Sequence, residues 1–559
     1  MDCEQLRARY QVLKAERSTT ESVWDTISRY IMPFKGEFFR TMTGETSVEW
    51  KNRSKFDDTA VEANITLASS IQGSVTSPVI RWFHLVFRDQ KLNSDPEAAE
   101  WLRDCADTMF QALMESNFNL EISEAYLDLT GFGTAILAEE IEEKDQELES
   151  LVFAAVPLRD GFFEEDYKGD VLRFYRRYEW TSVKIMSKFG DKIPDYIKDQ
   201  AESSTGMLTK HEIIYAIYPR KGKENSDVSK PIATEARPFG AKYILLKDAT
   251  QLGDKGGYYE MPVFITRWGK ATGSKWGYSP SHICLGDVLT LNAMVKMILI
   301  AGEKVIDPAT LQEERALVGD LDLEAGGVTV VRNAKGLVPY ESKARFDVSN
   351  LHKKDLQDSI RRCFKVDQLE MKESPAMTAT EVQVRYELMQ RLLGPTLGRL
   401  QNDLLDPLIG RTFYILYRSG RLPPPPESVV KNSSELDVEY LGPLARAQKM
   451  DKIVSMQRWF QLASPIAEFD PGILDLPDVD QIGKEAATLL GVPIKGDKEI
   501  KKIREDRAAQ QAAAQQMAQH QAEGEAMGAV GTGLQEIRNA EQNPGDAQNA
   551  AQNAAQGKK

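Results

Sequence analysis

The stretch from Asp347 to Gly420 constrains the fold more than any other part of the chain. From Ala379 it carries Val382, Tyr386, Met389, Leu393, Leu397, Leu400, Leu404 and Leu408. Steps of three and four residues sustained over roughly 7–8 turns are the signature of an α-helix buried along one stripe. Pro395 and Pro407 fall inside it. Each removes an amide and crowds the turn before it, so the rod is expected to bend, most sharply at Gly394-Pro395. Upstream, residues 347–371 predict another helix, with Leu356, Ile360, Cys363 and Phe364 on one face and Lys354, Arg361 and Lys365 opposite. The break between the two helices is Lys372–Thr378 (KESPAMT). A long bent helix reached through a small loop is a mechanical part rather than an enzyme pocket.

A chain of 559 residues is too long for one compact core, so several regions are expected. The net charge of −14 argues against a surface that coats nucleic acid, though not against contact through a few placed cations. The four cysteines (Cys3, Cys105, Cys284, Cys363) show no CxxC pairing, which fits a reducing compartment without a disulfide framework or a zinc site. The five histidines are equally scattered, and His84 beside Trp82-Phe83 reads as packing or surface. Met1–Arg9 is too charged for a signal peptide. The most apolar run, residues 288–301, spans about 14 residues where a membrane span needs about 20, and it predicts a buried helix of a soluble protein.

In chain order, helices are predicted over 3–32, 60–74, 96–116 and 120–129, with a strand at 82–87. The period then changes to two. Strands are expected at 134–142, 151–158, 162–166, 171–181, 211–218, 241–247 and 262–268. The turn Tyr167–Asp170 (YKGD) marks a hairpin with Gly169 where positive φ is needed. A helix follows over 281–305, then an irregular 307–338 with a β-like piece at 328–331. After the bent helix come a polyproline spacer at 422–426, a short strand at 436–440 and helices at 444–462 and 478–490. From Arg507 the chain is rich in Ala and Gln, and beyond Gly524 disorder is expected.

Catalytic signatures fail when tested. Gly269–Lys275 (GKATGSK) lacks the phosphate-loop spacing, because Ser274 separates Gly273 from Lys275 and Trp276 stands where a hydroxyl belongs. Gly131-x-Gly133 precedes a strand and reads as a helix cap. There is no HExxH, no GxSxG and no paired Cys/His. The acid cluster at 139–145 (EEIEEKD) reads as solvated strand ends or turns rather than a divalent-metal site. No catalytic, cofactor or metal residue is assigned.

Several collinear motifs remain. They are Tyr30-Ile31-Met32-Pro33, then Phe56–Ala60 (FDDTA) leading to Leu67-Ala68-Ser69-Ser70, and Ser77-Pro78 before Trp82-Phe83. The hairpin at 162–181 follows, then Trp268 with Trp276-Gly277-Tyr278-Ser279-Pro280. The most specific are Met377–Val382 (MTATEV), the run Leu393-Gly394-Pro395 through Arg411-Thr412-Phe413, and Pro443–Gln448 (PLARAQ). Together they resemble the head-to-tail connector (portal) proteins of short-tailed bacteriophages, over nearly the whole chain.

The resemblance implies an α+β, predominantly helical portal fold. Residues 1–280 would be the wing, 281–306 the first stem helix, 307–346 the clip and 347–371 the second stem helix. Residues 372–378 would be the tunnel loop, 379–420 the bent helix, 421–506 the crown and 507–559 a tail that is either a barrel helix or disordered. It implies a ring, usually of twelve subunits, at one vertex of the virion, assembled in the host cytoplasm, with double-stranded DNA passing through it. The implied partners are a terminase motor docking on the clip, major capsid and scaffolding proteins, and tail adaptor proteins, with no membrane and no enzymatic activity. The rival readings are another phage structural protein (a tail adaptor or internal ejection protein), which need not share the stem–clip–stem plan, and a packaging nuclease or ATPase, which would need the missing motifs.

DNA presents a phosphate about every 1.7 Å, so a densely basic wall would grip it, whereas an acidic wall with sparse cations lets it slide. Lys354, Arg361 and Lys365 are 7 and 4 residues apart, a rise of about 10 and 6 Å on a helix. Repeated around a ring they would form stacked cationic tiers, and Lys372 in the loop is a further candidate for contact with DNA.

Overall fold

The computed structural model describes residues 1–35, 54–79, 81–93, 95–144, 147–220, 232–306, 310–312, 337–339, 346–369, 394–432 and 436–440, with isolated positions beyond. The chain divides into two compact units, Met1–Gln448 and Lys449–Lys559, and the architecture below is that of the first.

The helical start is α1 (Cys3–Tyr30), α2 (Thr59–Val75), β1 (Phe83–Phe87), α3 (Pro96–Glu115) and α4 (Phe118–Phe132). Asp95 caps α3 by accepting the Glu97 amide, with Pro96 in the first turn where no amide is missed. Gly133 ends α4 at φ +80, a left-handed cap whose N–H reaches the Leu129 carbonyl at 3.0 Å.

The β region contains β2 (Thr134–Lys144), β3 (Glu147–Ala155), β4 (Gly161–Glu165) and β5 (Val171–Thr181). Two helices that the alternating pattern hid follow, α5 (Ser182–Phe189) and α6 (Asp195–Glu202), then β6 (Lys210–Pro219), β7 (Phe239–Leu245), β8 (Gln251–Tyr258) and β9 (Val263–Arg267). The order β3-β2-β9 makes a three-stranded antiparallel sheet, and β4-β5-β6-β7-β8 a five-stranded one. The β4–β5 turn is fixed by the Asp166 carboxylate, which accepts the amides of Lys168, Gly169 and Asp170 at 2.8–3.0 Å, with Gly169 at φ +95. Adjacent residues of β5 serve different cores, Phe174 the main one and Tyr175 a second beneath α1 with Leu6, Tyr10, Leu13 and Ile214. A third small core under α5 and α6 gathers Trp180, Ile185, Ile197 and Leu252. Strand β8 went unpredicted because Gly253, Gly256 and Gly257 erase its alternation.

Two short strands, β10 (Gly269–Lys270) and β11 (Gly277–Tyr278), lead to a helical turn at Pro280–Ile283 and then α7 (Leu285–Ile306). Beyond it β12 (Thr310–Gln312) pairs antiparallel with β13 (Leu337–Pro339), and α8 spans Phe346–Cys363. The expected β-like piece at 328–331 lies outside the described residues. The helix predicted to continue to residue 371 stops at Cys363, because Lys365 adopts φ +61 and a separate turn of helix follows at Val366–Leu369. The bent helix is described from residue 394: it is helical to Leu400, widens to a π-turn at Gln401–Leu405 and resumes as α9 (Asp406–Arg418). Finally β14 (Leu436–Tyr440) pairs antiparallel with β1, joining predicted strands some 350 residues apart.

Candidate functional site

The helices α7 and α8 start and end on one joint. At its centre Gly133 and Gly277 lie backbone to backbone. Around them the Trp268 amide donates to the Gly133 carbonyl at 2.9 Å and the Gly277 amide to Thr134 Oγ1 at 2.9 Å. Ser279 Oγ donates to the Gly131 carbonyl at 2.6 Å, and Ser281 Oγ to that of Thr130 at 3.2 Å. Trp276 is wedged between Trp24 and Phe163, with ring centroids 4.9 and 4.7 Å away, both edge to face. The segment that leads into α7 is thus sewn to the end of α4 and the start of β2.

Polar bonds tie the pair to each other and to the segment at 54–57 that leads into α2. Ser359 Oγ donates to Asp287 Oδ2 at 2.9 Å, linking α8 to α7. Gln357 Nε2 donates to Asp57 Oδ2 at 2.9 Å, and Asn292 on α7 takes the Phe56 amide at 2.7 Å and donates to the Ser54 carbonyl at 3.1 Å. Asp57 and Phe56 belong to the FDDTA motif, so that motif is the seat of the paired helices.

The run predicted to be a buried helix is mostly not buried in the protomer. Val288, Leu291, Asn292 and Val295 face inward, while Met297 (70% exposed), Leu299 (56%) and Ile306 (86%) stand in solvent. A single-sided seat on α8 leaves the rest of an all-round apolar helix uncovered. By length and composition α7 is also the one helix among the described residues that could cross a membrane.

On α8 the apolar face is as read, with Ile360 and Phe364 fully buried and Leu356 and Cys363 partly so. Lys354 and Arg361 are exposed, and Lys365 is half-buried. None of the three makes an ion pair with a described carboxylate. The left-handed turn takes Lys365 off the straight continuation of the Lys354–Arg361 line. Lys372 and the loop at 372–378 lie outside the described residues, as does the chain immediately before Gly394, so the expected bend at Gly394-Pro395 falls at their edge.

Where the bent helix is described, its irregularity sits ahead of Pro407. The Asp406 amide reaches back to the Gln401 carbonyl, and the widened turn relieves the carbonyls that the proline ring would otherwise crowd. The same turn sets Asp403 3.8 Å from Arg267 Nε. Arg267, nearly buried, also pairs with Glu165, which takes Lys270 at 3.1 Å. Burial raises the Asp403 carboxyl and Arg267 opposes the rise.

The acid cluster at 139–145 is not solvated at its first member. Glu139 is fully buried, accepts a hydrogen bond from Thr412 Oγ1 at 2.9 Å and lies 3.5 Å from Arg411 Nε. Arg411 pairs in turn with Glu260 at 3.3 Å, and Arg418 grips the same carboxylate at 2.7 and 3.1 Å. Burial pushes the Glu139 carboxyl up to about 7 against the pull of Arg411. This network pins α9 to β2. A sequence signal existed, since an Arg at position 411 on the apolar stripe side of α9 needs a buried acid.

Comparison with known proteins gives the same outline. The family model for bacteriophage head to tail connecting proteins matches residues 3–495. A probable portal protein of Bordetella phage BPP-1 is 28% identical over 522 residues, covering 90% of this chain and 91% of its own. The portal protein of Salmonella phage epsilon15 is 26% identical over 522 residues, 91% of each chain.

Proposed function

Because the chain belongs to the bacteriophage head to tail connecting protein family, we propose that it is the subunit of a portal ring at one vertex of a phage capsid, through which DNA is packaged and ejected. The observation that carries the reading is the uncovered apolar side of α7, held out from a rigid joint. A surface of that kind in a chain of this family is accounted for by helices of adjacent copies in a closed ring. Residues 307–346, between α7 and α8, would form the clip where a terminase motor and tail adaptor proteins dock. The sheets and α1–α4 would form the wing facing the major capsid and scaffolding proteins.

In that ring the exposed Lys354 and Arg361, with Lys365 at the turn and Lys372 beyond it, supply sparse cations in an acidic protein. Such a wall steers DNA without arresting it, since each neutralised phosphate adds to binding and to its salt dependence. The bent helix would run from the channel to the rim, with Pro407 and its widened turn keyed to Arg267 of the wing. Nothing in this role calls for catalysis, a cofactor or a membrane.

Native mass measurement tests the assembly. Twelve copies of a 62.8 kDa chain give about 750 kDa. A single species near that mass supports the reading, and a stable monomer at working concentration contradicts it.

A further inference from the structure

We infer that Cys284 and Cys363 form a thiol pair at which α7 and α8 become joined by a reversible disulfide when the protein meets an oxidant of the peroxide or disulfide class. Cys284 is buried in the turn before α7, and Cys363, the last residue of α8, is only partly buried. Nearly eighty residues separate them in sequence, yet both converge on one carbonyl. The Pro280 oxygen accepts the Cys284 amide at 3.0 Å and the Cys363 thiol at 3.4 Å. The Cys284 thiol turns to the Ser281 carbonyl, 4.0 Å away in the same turn, so the two thiols sit side by side over residues 280–281.

The pair is chemically unequal. The neighbouring Cys284 thiol, and then Lys365 two residues on, hold the Cys363 thiol below its ordinary range. The Cys363 sulfur beside it, then burial, push Cys284 up. Cys363, the thiol that an oxidant can reach, is the attacking sulfur and the buried Cys284 the resolving one, the arrangement that lets a reactive thiol be captured before it over-oxidises. With hydrogen peroxide, the Cys363 thiolate takes one oxygen to become a sulfenic acid and hydroxide leaves. The Cys284 thiol attacks that sulfur, loses its proton, and the sulfenic oxygen departs as water. Two thiols and one peroxide give one disulfide and two waters. With a disulfide oxidant, Cys363 forms the mixed disulfide and Cys284 displaces the second thiol. Cys105 is buried, and burial pushes its thiol up to about 12, so it is a poor competitor.

The bond would close residues 285–362 into a covalent loop and fix the start of α7 to the end of α8 at the joint. That is a lock on the two helices, and it stands on their packing whether or not the ring reading holds.

The test treats full-length protein with oxidised glutathione or hydrogen peroxide, alkylates the remaining thiols and digests without reduction. The expected result is a Cys284–Cys363 linked peptide, a fall from four free thiols to two, and recovery of four with dithiothreitol. In Cys284→Ser the link is lost and Cys363 accumulates as an adduct. In Cys363→Ser, a milder change at a partly exposed position, Cys284 stays reduced. Iodoacetamide should label Cys363 at least about tenfold faster than Cys105 in the reduced protein. Four unreacted thiols after oxidation, or Cys363 adducts forming equally in wild type and Cys284→Ser without any link, would overturn the inference.

Discussion

Gly133 and Gly277 leave no room for a side chain between them: a Cβ on Gly277 would sit 2.0 Å from the Gly133 carbonyl oxygen, and one on Gly133 2.7 Å from the Gly277 oxygen. The close approach lets Ser279 and Ser281 reach the last carbonyls of α4, and so sets where α7 leaves the body. Gly277→Ala must push two backbones apart. It should cost about 3 kcal/mol or more in denaturant unfolding and reduce ring yield, whereas Gly273→Ala, in open space but at φ +79, should cost only about 1 kcal/mol.

The buried network around Arg411 predicts an asymmetry between single replacements. Arg411→Met removes the guanidinium that offsets the burial of Glu139, so the carboxyl must take up a proton to stay in the core, and the loss should be about 3–5 kcal/mol at pH 8. Glu139→Gln keeps an acceptor for Thr412 and leaves Arg411 its bond to Glu260, so it should cost less than half as much. Equal losses in urea unfolding would show that the network is not organised around Glu139.

The same carboxyl sets a pH dependence. Burial raises Glu139 to about 7 and Asp128 to about 6, in each case above its unfolded value. A carboxyl raised on folding favours the folded state while protonated, so its contribution is complete below the unfolded pKa near 4 and is lost as pH rises through 6 and 7. Unfolding free energy should therefore be greater at pH 5 than at pH 8, by on the order of 1–3 kcal/mol, and Glu139→Gln should flatten most of that slope.

At the end of α8, charge and backbone can be separated. Lys365 holds φ +61, where glycine is at ease, so Lys365→Gly should raise stability by up to about 1 kcal/mol while removing a cation. Arg361→Ala with Lys365→Gly should then fold and assemble normally but package DNA less well or lose it after packaging. Unchanged packaging and retention would remove these residues from the channel wall.

Much of this was legible in the residues because the local rules and the packing agree. The stripe on α8, the hairpin at Asp166–Asp170, the cap at Gly133 and the two strands that become β1 and β14 all follow from period and turn chemistry. What stayed hidden needed a third dimension. Glu139 looks like the start of a charged surface run until Arg411 arrives from 272 residues away to meet it. Helix α5 follows a strand without a Gly or Pro to announce the change, and β8 is too rich in glycine to alternate. The shift from α to π before Pro407 answers a clash that the period of leucines does not register. The expectation that 288–301 would be buried failed because one protomer covers only one side of it.

In the proposed portal ring, α7 and α8 close around DNA. Electron cryomicroscopy of the purified full-length protein, viewed end-on, tests this most directly. It should show a closed ring with a central opening, the outer face of α7 covered by neighbouring copies, and Lys354 and Arg361 lining the bore. Isolated protomers, or a ring in which Met297 and Leu299 remain in solvent and Arg361 faces outward, would contradict it.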